Sequence, residues 1–507
     1  MLSALTTVVS ITPKPTRRVV LDPFKISYTC DKQRQAVAEL VDEFSITPSA
    51  LVTIKDHFIH ELKKGLAKDG ETLAMVPVFV SGRLDGSESG SFLTLDIGGT
   101  FLRVVFVVLT NGQVTKQQKK YSIDEDLKVG ETKVLFVDEH AIKVPAGSEI
   151  DLGFTFSFPV LQTTINSGTL IAWTKGFSCP GGVGKDPAAL LQDALHKQNM
   201  HVRVVSLLND TVGTLLAHAY QYKNTVIGLG LGTGSNAAYI ETVDRITKRK
   251  GSMEFATGIK EMVINMEFGA FDKEKIILPL TMFDNKVDRK SLNQGNQIFE
   301  KMIAGMYLGE ITRNILVNLI DRRLLLDGRS TKEICKVWAF DTSYMSTIEA
   351  DETPDLDDTR FVLESYLGFA SSDPMATLTS TSTSVATSSS SSFTDRQIIK
   401  IIVGLVGKRA ARLSAMAVAG ILEHTQGVGW TEDDGADIGV DGSLFRFYPG
   451  FEDDMKEAIE DIFTFEKSCT IDISKIQMRP RLDGSSVGAA LCALLAGKTA
   501  AVPSSSE

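Results

Sequence analysis

A strand–glycine–threonine–strand unit that occurs twice constrains the fold of this chain more than any other feature. The first copy occupies 92–109 around Gly98-Gly99-Thr100, and the second occupies 225–240 around Gly232-Thr233-Gly234, about 130 residues later. Glycine turns between runs of strand-forming residues indicate β-hairpins. The repeat predicts two similar α/β halves that face each other across a cleft.

Composition limits the class of protein and its partners. A chain of 507 residues is too long for one hydrophobic core and predicts two or more domains. A net charge of −10 argues against nucleic acid as a direct partner. No apolar run approaches the length of about 20 residues that a membrane span needs. Five scattered cysteines indicate a reducing compartment, so we expect a cytoplasmic protein.

Three segments are expected to lie outside the packed domains. Residues 1–24 are predicted to be a loose N-terminal segment, although their basic, Ser/Thr-rich start leaves mitochondrial association open. Residues 370–392 are almost entirely Ser, Thr and small residues, and they predict a disordered insertion because they offer too little apolar surface to pack. Residues 499–507 are expected to form a loose tail.

The glycine turns do not match the common nucleotide-binding motifs. The segment 179–186 lacks the Ser or Thr that follows the lysine of a phosphate loop. In the run 228–234, glycine at every second position does not fit the dinucleotide fingerprint. A glycine turn can nevertheless bring backbone N–H groups close to phosphate oxygens, and Asp96 beside the first turn could hold magnesium. Each turn alone is more typical of a plain hairpin.

Asn209-Asp210-Thr211 follows the predicted strand 202–208 and begins a predicted helix. An Asp at the carboxyl end of a strand faces the cleft of an α/β fold and could act as the base in phosphoryl transfer. Read alone, the same Asp would more simply cap the helix. Lys175 and Arg103 are candidate cations that could stabilise the charge of a transferred phosphoryl group.

Two segments of the chain closely resemble the sugar-binding signature of eukaryotic hexokinases and glucokinases: LGFTFSFP at 152–159 and LIAWTKGF at 170–177. Further motifs are similar to those of this family and follow in its order: DIGGT at 96–100 with Arg103, NDT at 209–211, GTGSN at 232–236, EFGAF at 267–271, GVDGS at 439–443 and DGS at 483–485. The resemblance extends from about residue 25 to 498.

The resemblance implies a two-lobed α/β fold of duplicated ribonuclease-H-like halves, shared with actin, with a central cleft. An N-terminal region, 25–221, would form mainly the small lobe, preceded by helices of the large lobe. A C-terminal region, 222–498, would form the large lobe and return its final helix to the small lobe. The activity implied is the ATP-dependent phosphorylation of a hexose at its 6-hydroxyl, the first step of glycolysis, by a monomer or homodimer.

The resemblance also implies the site residues. The catalytic residues would be Asp210, Lys175 and Arg103. The hexose would be held by Ser157, Thr174, Lys175, Asn209, Asp210, Asn236, Glu267 and Glu300. ATP would be held by Asp96, Gly98, Gly99, Thr100, Gly232, Thr233, Gly234, Gly442 and Ser443. Asp96 would hold Mg²⁺.

Phe101 is the departure from the family pattern with the greatest consequence. The family has Asn directly after Gly-Gly-Thr, and here an apolar ring takes its place in the predicted phosphate turn. The ring would either turn inward as a core residue or outward and block ATP, and Phe101→Asn is expected to raise the rate in both cases. The alternative function is therefore a hexokinase-like regulator of carbon-starvation responses, which would bind glucose and act through protein partners, with a nuclear role possible.

Overall fold

The structure of the protein is a computed structural model that describes residues 18–80, 84–98, 101–130, 149–174, 177–248, 259–369, 391–426, 435–466, 471–481 and 483–500. Three predicted site residues lie outside these ranges: Gly99, Thr100 and Lys175. The predictions for 1–17, for 370–390 and for 501–507 also fall outside them.

The described part of the chain forms strands and helices in mixed order. The strands are β1 Val76–Pro77, β2 Gly90–Ile97, β3 Phe101–Thr110, β4 Gln113–Ser122, β5 Ile150–Phe156, β6 Val160–Thr164, β7 Ser167–Leu170, β8 Val202–Leu208, β9 Thr225–Leu231, β10 Ser235–Thr242, β11 Glu261–Asn265, β12 Ala436–Asp441 and β13 Ile476–Pro480.

The helices are α1 Asp31–Phe44, α2 Pro48–Ala67, α3 Glu125–Val129, α4 Pro187–Lys197, α5 Asp210–Ala219, α6 Met282–Lys290, α7 Ile298–Ile303, α8 Gly305–Asp321, α9 Lys332–Cys335, α10 Thr342–Ala350, α11 Asp357–Ser365, α12 Phe393–Thr425, α13 Ser443–Phe447, α14 Phe451–Phe465 and α15 Gly484–Ala500. Short 3₁₀ helices occur at Val243–Arg245, Phe268–Ala270, Leu326–Gly328 and Ile473–Lys475. Among the described helices, none combines the length and apolar character needed to cross a membrane.

Two sheets share one topology. The first has the order β4-β3-β2-β5-β8, in which β2, β3 and β4 are antiparallel neighbours while β5 and β8 run parallel to β2. The second has the order β1-β11-β10-β9-β12-β13, and its strands β9 to β13 repeat the same pattern of directions. Only the short antiparallel edge strand β1 is added. The predicted duplicated, two-lobed α/β fold is confirmed.

The described residues form three hydrophobic clusters: one in the lobe of the six-stranded sheet, one in the lobe of the five-stranded sheet, and one that joins both sheets through α5 and α15. Helices α1 and α2 pack in the same core as β9, β10 and the long helix α12, so these two helices belong to the lobe of the six-stranded sheet. Arg18 lies in the segment 1–24 that was predicted to be loose, and its guanidinium pairs with Glu349 and Asp454 of this lobe. The final helix α15 packs against α5 and the five-stranded sheet.

Close packing at glycines fixes α5 between the two sheets. A Cβ on Gly228 of β9 would lie 2.4 Å from the carbonyl oxygen of Thr211 and 2.5 Å from the backbone nitrogen of Leu215. On the other side of α5, a Cβ on Gly488 would lie 2.1 Å from the carbonyl oxygen of Gly213. Side chains at these positions would push the helix away. The glycines therefore set the position of the first residue of α5, Asp210.

Candidate functional site

A cavity of about 380 Å³ lies between the two sheets, where the strands and helices of both lobes end. It is lined by every predicted site residue that the structure describes: Asp96, Gly98, Arg103, Ser157, Thr174, Asn209, Asp210, Gly232, Thr233, Gly234, Asn236, Glu267, Glu300, Gly442 and Ser443. Residues that are up to about 350 positions apart in the chain are thus brought together.

One end of this cavity is formed by a network of amides and a carboxylate, which we call the amide end: Asn209, Asn236 and Glu267 line the cavity, and the buried Asn265 joins them. Asn236 Nδ2 lies 2.7 Å from Asn265 Oδ1 and 3.2 Å from Asn209 Oδ1. Asn265 Nδ2 donates to Glu267 Oε1 at 2.8 Å. Because each side chain fixes its neighbour, the network presents its polar groups to the cavity in a preset arrangement.

Two acidic residues, Glu267 in the amide end and Glu300, are held in place by the backbone. Glu267 has φ 57° and ψ 43°, in the left-handed region that non-glycine residues rarely adopt. Such conformations persist where the surrounding structure enforces them, often at functional sites. Glu300 is buried, and its carboxylate accepts the backbone N–H of Ser235 at 2.9 Å. Both carboxylates are therefore held in place before any ligand binds.

At the start of α5, the N-cap residue Asn209 is followed directly by the candidate base Asp210. Asn209 is the N-cap, and its side chain accepts the backbone N–H of Thr211 at 3.0 Å. Asp210 is the first residue of the helix and lines the cavity. Asn209 therefore holds the N-cap position, while Asp210 Oδ1 also accepts the backbone N–H of Thr211 at 2.9 Å.

A second part of the cavity, which we call the carboxylate end (Asp96, Asp441 and Arg103), concentrates charge next to Asp210. Asp96 is buried, and its Oδ2 accepts from Arg103 Nη1 at 2.9 Å and from Ser485 Oγ at 2.8 Å. Burial and the negative charge of Asp210 raise the pKa of Asp96, against the opposing effect of Arg103 and Ser485. Burial and the charge of Asp210 also raise the pKa of Asp441 to about 6. Asp210 thus lies where negative charge accumulates.

The second glycine turn closes the carboxylate end with backbone alone. The backbone N–H of Gly232 donates to the carbonyl of Gly234 at 3.0 Å, and the backbone N–H of Gly305 donates to the carbonyl of Gly232 at 2.8 Å. Gly442 has φ 133°, and a Cβ there would lie 2.1 Å from the carbonyl oxygen of Leu231. This wall of the cavity therefore requires glycine.

Phe101 has the outward placement of the two that the sequence suggested. Its ring is half-buried and lines the cavity, so it is not a core residue. The ammonium of Lys120 lies 3.4 Å from the ring centroid. Met266 and Phe268, which flank the predicted sugar contact Glu267, are fully buried and fill the core rather than the site.

Sequence reasoning gave no role to several residues that the structure places at the site. Asp441 and Ser485 lay within recognised motifs but were assigned no contact, and Asn265 was not noticed. A strand that ends in an amide, two residues before a predicted sugar contact, was the available signal for Asn265. Ser485 gives no such signal, because its bond to Asp96 joins residues 389 positions apart.

Comparison with known proteins places this arrangement in a family. Sequence models described as hexokinase match residues 36–220 and 226–495. The chain is 38% identical to a glucokinase of Aspergillus niger over 483 residues, which is 87% of this chain and 92% of the relative. It is 37% identical to a hexokinase of Kluyveromyces lactis over 469 residues, 90% of each chain.

Solved structures agree with the sequence comparison. A hexokinase from Schistosoma mansoni complexed with glucose matches with a TM-score of 0.77 and 31% identity, covering 92% of this chain and 99% of that one. A second hexokinase crystal structure matches with a TM-score of 0.69 and 26% identity, covering 92% of this chain and 100% of the other. The sequence matches span nearly the whole chain, and the chain belongs to the hexokinase family.

Proposed function

We propose that the protein transfers the terminal phosphoryl group of ATP to a hydroxyl of a hexose, with glucose as the first substrate to test. The observation that carries the proposal is the position of Asp210, which lines the cavity between the amide end and the carboxylate end. A base placed there can serve a hydroxyl held on one side and a phosphoryl group held on the other.

The amide end suits a hexose. A sugar presents many hydroxyls, each able to donate and accept hydrogen bonds, and the amides and carboxylates of this end offer both kinds of partner. We assign sugar contacts to Ser157, Thr174, Asn209, Asn236, Glu267 and Glu300. A molecule that lacks a hydroxyl would leave buried polar groups unpaired, so the site would discriminate by hydrogen bonding.

The carboxylate end suits the charged part of the reaction. Asp210 would accept the proton of the attacking hydroxyl, and Arg103 would stabilise negative charge on the phosphoryl oxygens. Lys175, which is outside the described residues, is proposed as a second such cation. The glycine turns at Gly98 and at Gly232–Gly234, with Gly442 and Ser443, would approach the phosphates through backbone N–H groups.

The same end fits a divalent cation. Magnesium prefers oxygen ligands, and Asp96 and Asp441 are carboxylates whose raised pKa values reflect burial and the charge of Asp210. A cation there would relieve this repulsion. Asp96 would hold Mg²⁺ directly or through water, and the ion would neutralise charge on the phosphates of ATP.

One assay on the purified protein tests this proposal. Formation of glucose 6-phosphate should depend on glucose, ATP and magnesium together, and calorimetry should show glucose binding without nucleotide. Glucose binding with no turnover would favour the regulatory alternative. Absence of both would refute the proposal. The curated relatives described above are named as kinases, which favours the enzyme.

We also propose a reducing, cytoplasmic location. Among the described residues, Cys30, Cys179, Cys335 and Cys492 form no disulfide with one another, which suits such a compartment. Cys469 lies outside those residues. Non-reducing mass spectrometry of protein from its native cells should find these four cysteines unpaired, and a disulfide between any two of them would contradict the location.

A further inference from the structure

A cluster of polar side chains outside the cleft begins on helix α2. His57 and Glu61 are four residues apart in this helix, so their side chains are neighbours on its surface. His57 Nε2 lies 3.3 Å from Glu61 Oε1, but this pair lacks the geometry of a hydrogen bond, and the buried nitrogen forms none with any described residue. A buried polar atom without a hydrogen bond is unfavourable, which indicates that a further partner belongs there.

The third member of this cluster, Asp272, comes from a different part of the fold. It directly follows the segment 267–271, and its backbone has φ 53° in the left-handed region. His57, Glu61 and Asp272, which we call the α2 cluster, each offer one ligand atom, and these atoms lie within 4.8 Å of one another. None of the three residues lines the cavity. The α2 cluster is therefore separate from the site described above.

Backbone N–H groups hold the carboxylate of the buried Asp272 in place. Its Oδ1 accepts from Ile276 at 2.7 Å, and its Oδ2 accepts from Ile277 at 3.0 Å and from Leu278 at 2.8 Å. A carboxylate has about four acceptor sites, so one remains at Oδ1. Carboxylates that bind metals are typically supported by such hydrogen bonds. Asp272 is therefore fixed in orientation and can still bind one cation.

The surroundings of the α2 cluster suit a cation. Two carboxylates so close together repel each other, and no lysine or arginine among the described residues forms an ion pair with Glu61 or Asp272. The ring centroid of His57 lies 6.0 Å from that of Phe271, a contact that restricts the orientation of the imidazole. The side chains of His57 and Glu61 are 26% and 13% exposed, so an ion can enter from the solvent.

The kind of ligand atoms and their spacing favour zinc. Imidazole nitrogen and carboxylate oxygen are both zinc ligands, whereas magnesium and calcium take oxygen ligands. Bonds of about 2.0–2.2 Å place two ligands of a tetrahedral zinc ion about 3.3–3.6 Å apart. The separation of 3.3 Å between His57 Nε2 and Glu61 Oε1 already has this value.

We propose that His57, Glu61 and Asp272 bind a divalent transition-metal ion, with Zn²⁺ as the ion to test. Water would complete a tetrahedral site, because the three side chains supply three ligands. The ion would join α2 to the turn that follows the segment 267–271, so its role is structural. The inference does not depend on the proposed function, because it involves neither sugar nor nucleotide.

The first test compares two histidines of the same helix in full-length protein without an affinity tag. Zinc is titrated against a chromophoric chelator in excess magnesium, which should not displace it from a site with an imidazole ligand. His57→Ala should weaken zinc binding by at least about a hundredfold, because losing a residue that only supports a metal ligand already costs about 10–100-fold. His60→Ala is the matched control and should bind zinc as the wild type does, since His60 is exposed and outside the α2 cluster.

A second variant keeps the test decisive if His57→Ala does not fold. Glu61→Gln removes one charge with little change of shape and should weaken zinc binding by at least about tenfold. A melting temperature in the presence of a chelator shows whether each variant is folded. A wild type that binds zinc no more tightly than the folded variants would overturn the proposal and leave His57 and Glu61 as an ion pair within the helix.

The structural role of the ion has its own readouts. Zinc should raise the melting temperature of the wild type and of His60→Ala but not of His57→Ala, because a ligand that binds only the folded state stabilises it. Zinc should also slow hydrogen exchange at the amides of 276–278, which donate to Asp272. Zinc binding at the α2 cluster without either effect would overturn the structural role.

Discussion

At the amide end of the cleft polar side chains satisfy one another, whereas at the carboxylate end like charges act on one another. Asn209, Asn236, Asn265 and Glu267 are joined by direct hydrogen bonds. Asp96 and Asp441 instead have pKa values raised by burial and by the charge of Asp210. The side chains of the first end are thus held by one another without a ligand. The second end stores electrostatic repulsion that cations and phosphates can relieve.

This difference indicates how one cleft can serve two ligands. Hydrogen bonds set in advance select a sugar by the number and position of its hydroxyls. The charged residues of the carboxylate end would instead interact with the charges of a metal–nucleotide complex, so electrostatic attraction would set its affinity. Variants at the two ends should therefore differ in kind: the amide end should control the KM for sugar, and the carboxylate end should control turnover, nucleotide binding and pH dependence.

The largest effect is expected where the two ends meet. Asp210→Asn removes the proposed base and should lower kcat by at least about two orders of magnitude. Glucose should still bind, since the rest of the amide network is intact, and Asn209 should still cap α5. Steady-state assays measure kcat, and calorimetry measures the affinity for glucose. The exposed Asp193→Asn serves as a matched control. Turnover of Asp210→Asn close to that of the control would identify another group as the base.

The second-largest expected effect is a dependence of stability on pH, caused by the like charges near the carboxylate end. With a pKa raised to about 6, folded Asp441 keeps a proton that an unfolded chain releases near pH 4, so stability should fall as pH rises from about 4 to about 6. The loss should be roughly 2–3 kcal/mol. Denaturant unfolding at several pH values should show that Asp441→Asn lacks this loss.

Asp193→Asn is again the matched control for Asp441, since it should keep the wild-type pH dependence. An unchanged slope of stability with pH in Asp441→Asn would show that this carboxyl does not hold the proton. Magnesium with ADP should reduce the loss in the wild type, because a cation at this end favours the ionised carboxylates. We expect no such effect of magnesium and ADP on the residues of the amide end.

A smaller effect, confined to the amide end, is expected from Asn265. Its side chain does not belong to the predicted sugar contacts, but it joins Asn236 to Glu267. Asn265→Ala should raise the KM for glucose about thirtyfold, since each of its two half-buried partners loses a hydrogen bond worth about 1 kcal/mol. The KM for ATP is the internal control and should stay within twofold. Equal changes in both constants would show that the two ends are not independent.

The fold and most residues of the cleft could be predicted because they are marked by motifs contained in short segments of the sequence. A glycine turn between two strand-forming runs can be recognised within about twenty residues, and its repetition indicates the duplicated lobes. The family motifs likewise group residues such as Asn209 and Asp210 side by side. In the structure these separate segments meet in one cavity.

What could not be predicted depends on contacts between distant strands. Strand β4 is almost entirely polar and exposed, so it lacks the alternating pattern by which a strand is recognised. Without β4 there is no register, and the position of Lys120 over Phe101 cannot be inferred. The interpretation of Phe101 from its own turn therefore did not include the ammonium that lies over its ring.

The smallest effect is expected from the Ser/Thr-rich insertion, whose removal should leave both ends of the cleft unchanged. Residues 371–389 can be replaced by a short Gly-Ser linker, which spares Phe369 and Ser391, both buried, and Ser392, which caps α12 by accepting the backbone N–H of Asp395 at 3.0 Å. Since such a sequence offers little apolar surface to pack, the melting temperature should change by only a few degrees. Ser392→Ala, which removes the cap and should cost about 1 kcal/mol, sets the scale. A deletion more damaging than that variant, or one that shifts the KM for glucose or ATP, would show that the insertion packs against the lobe and is coupled to the cleft.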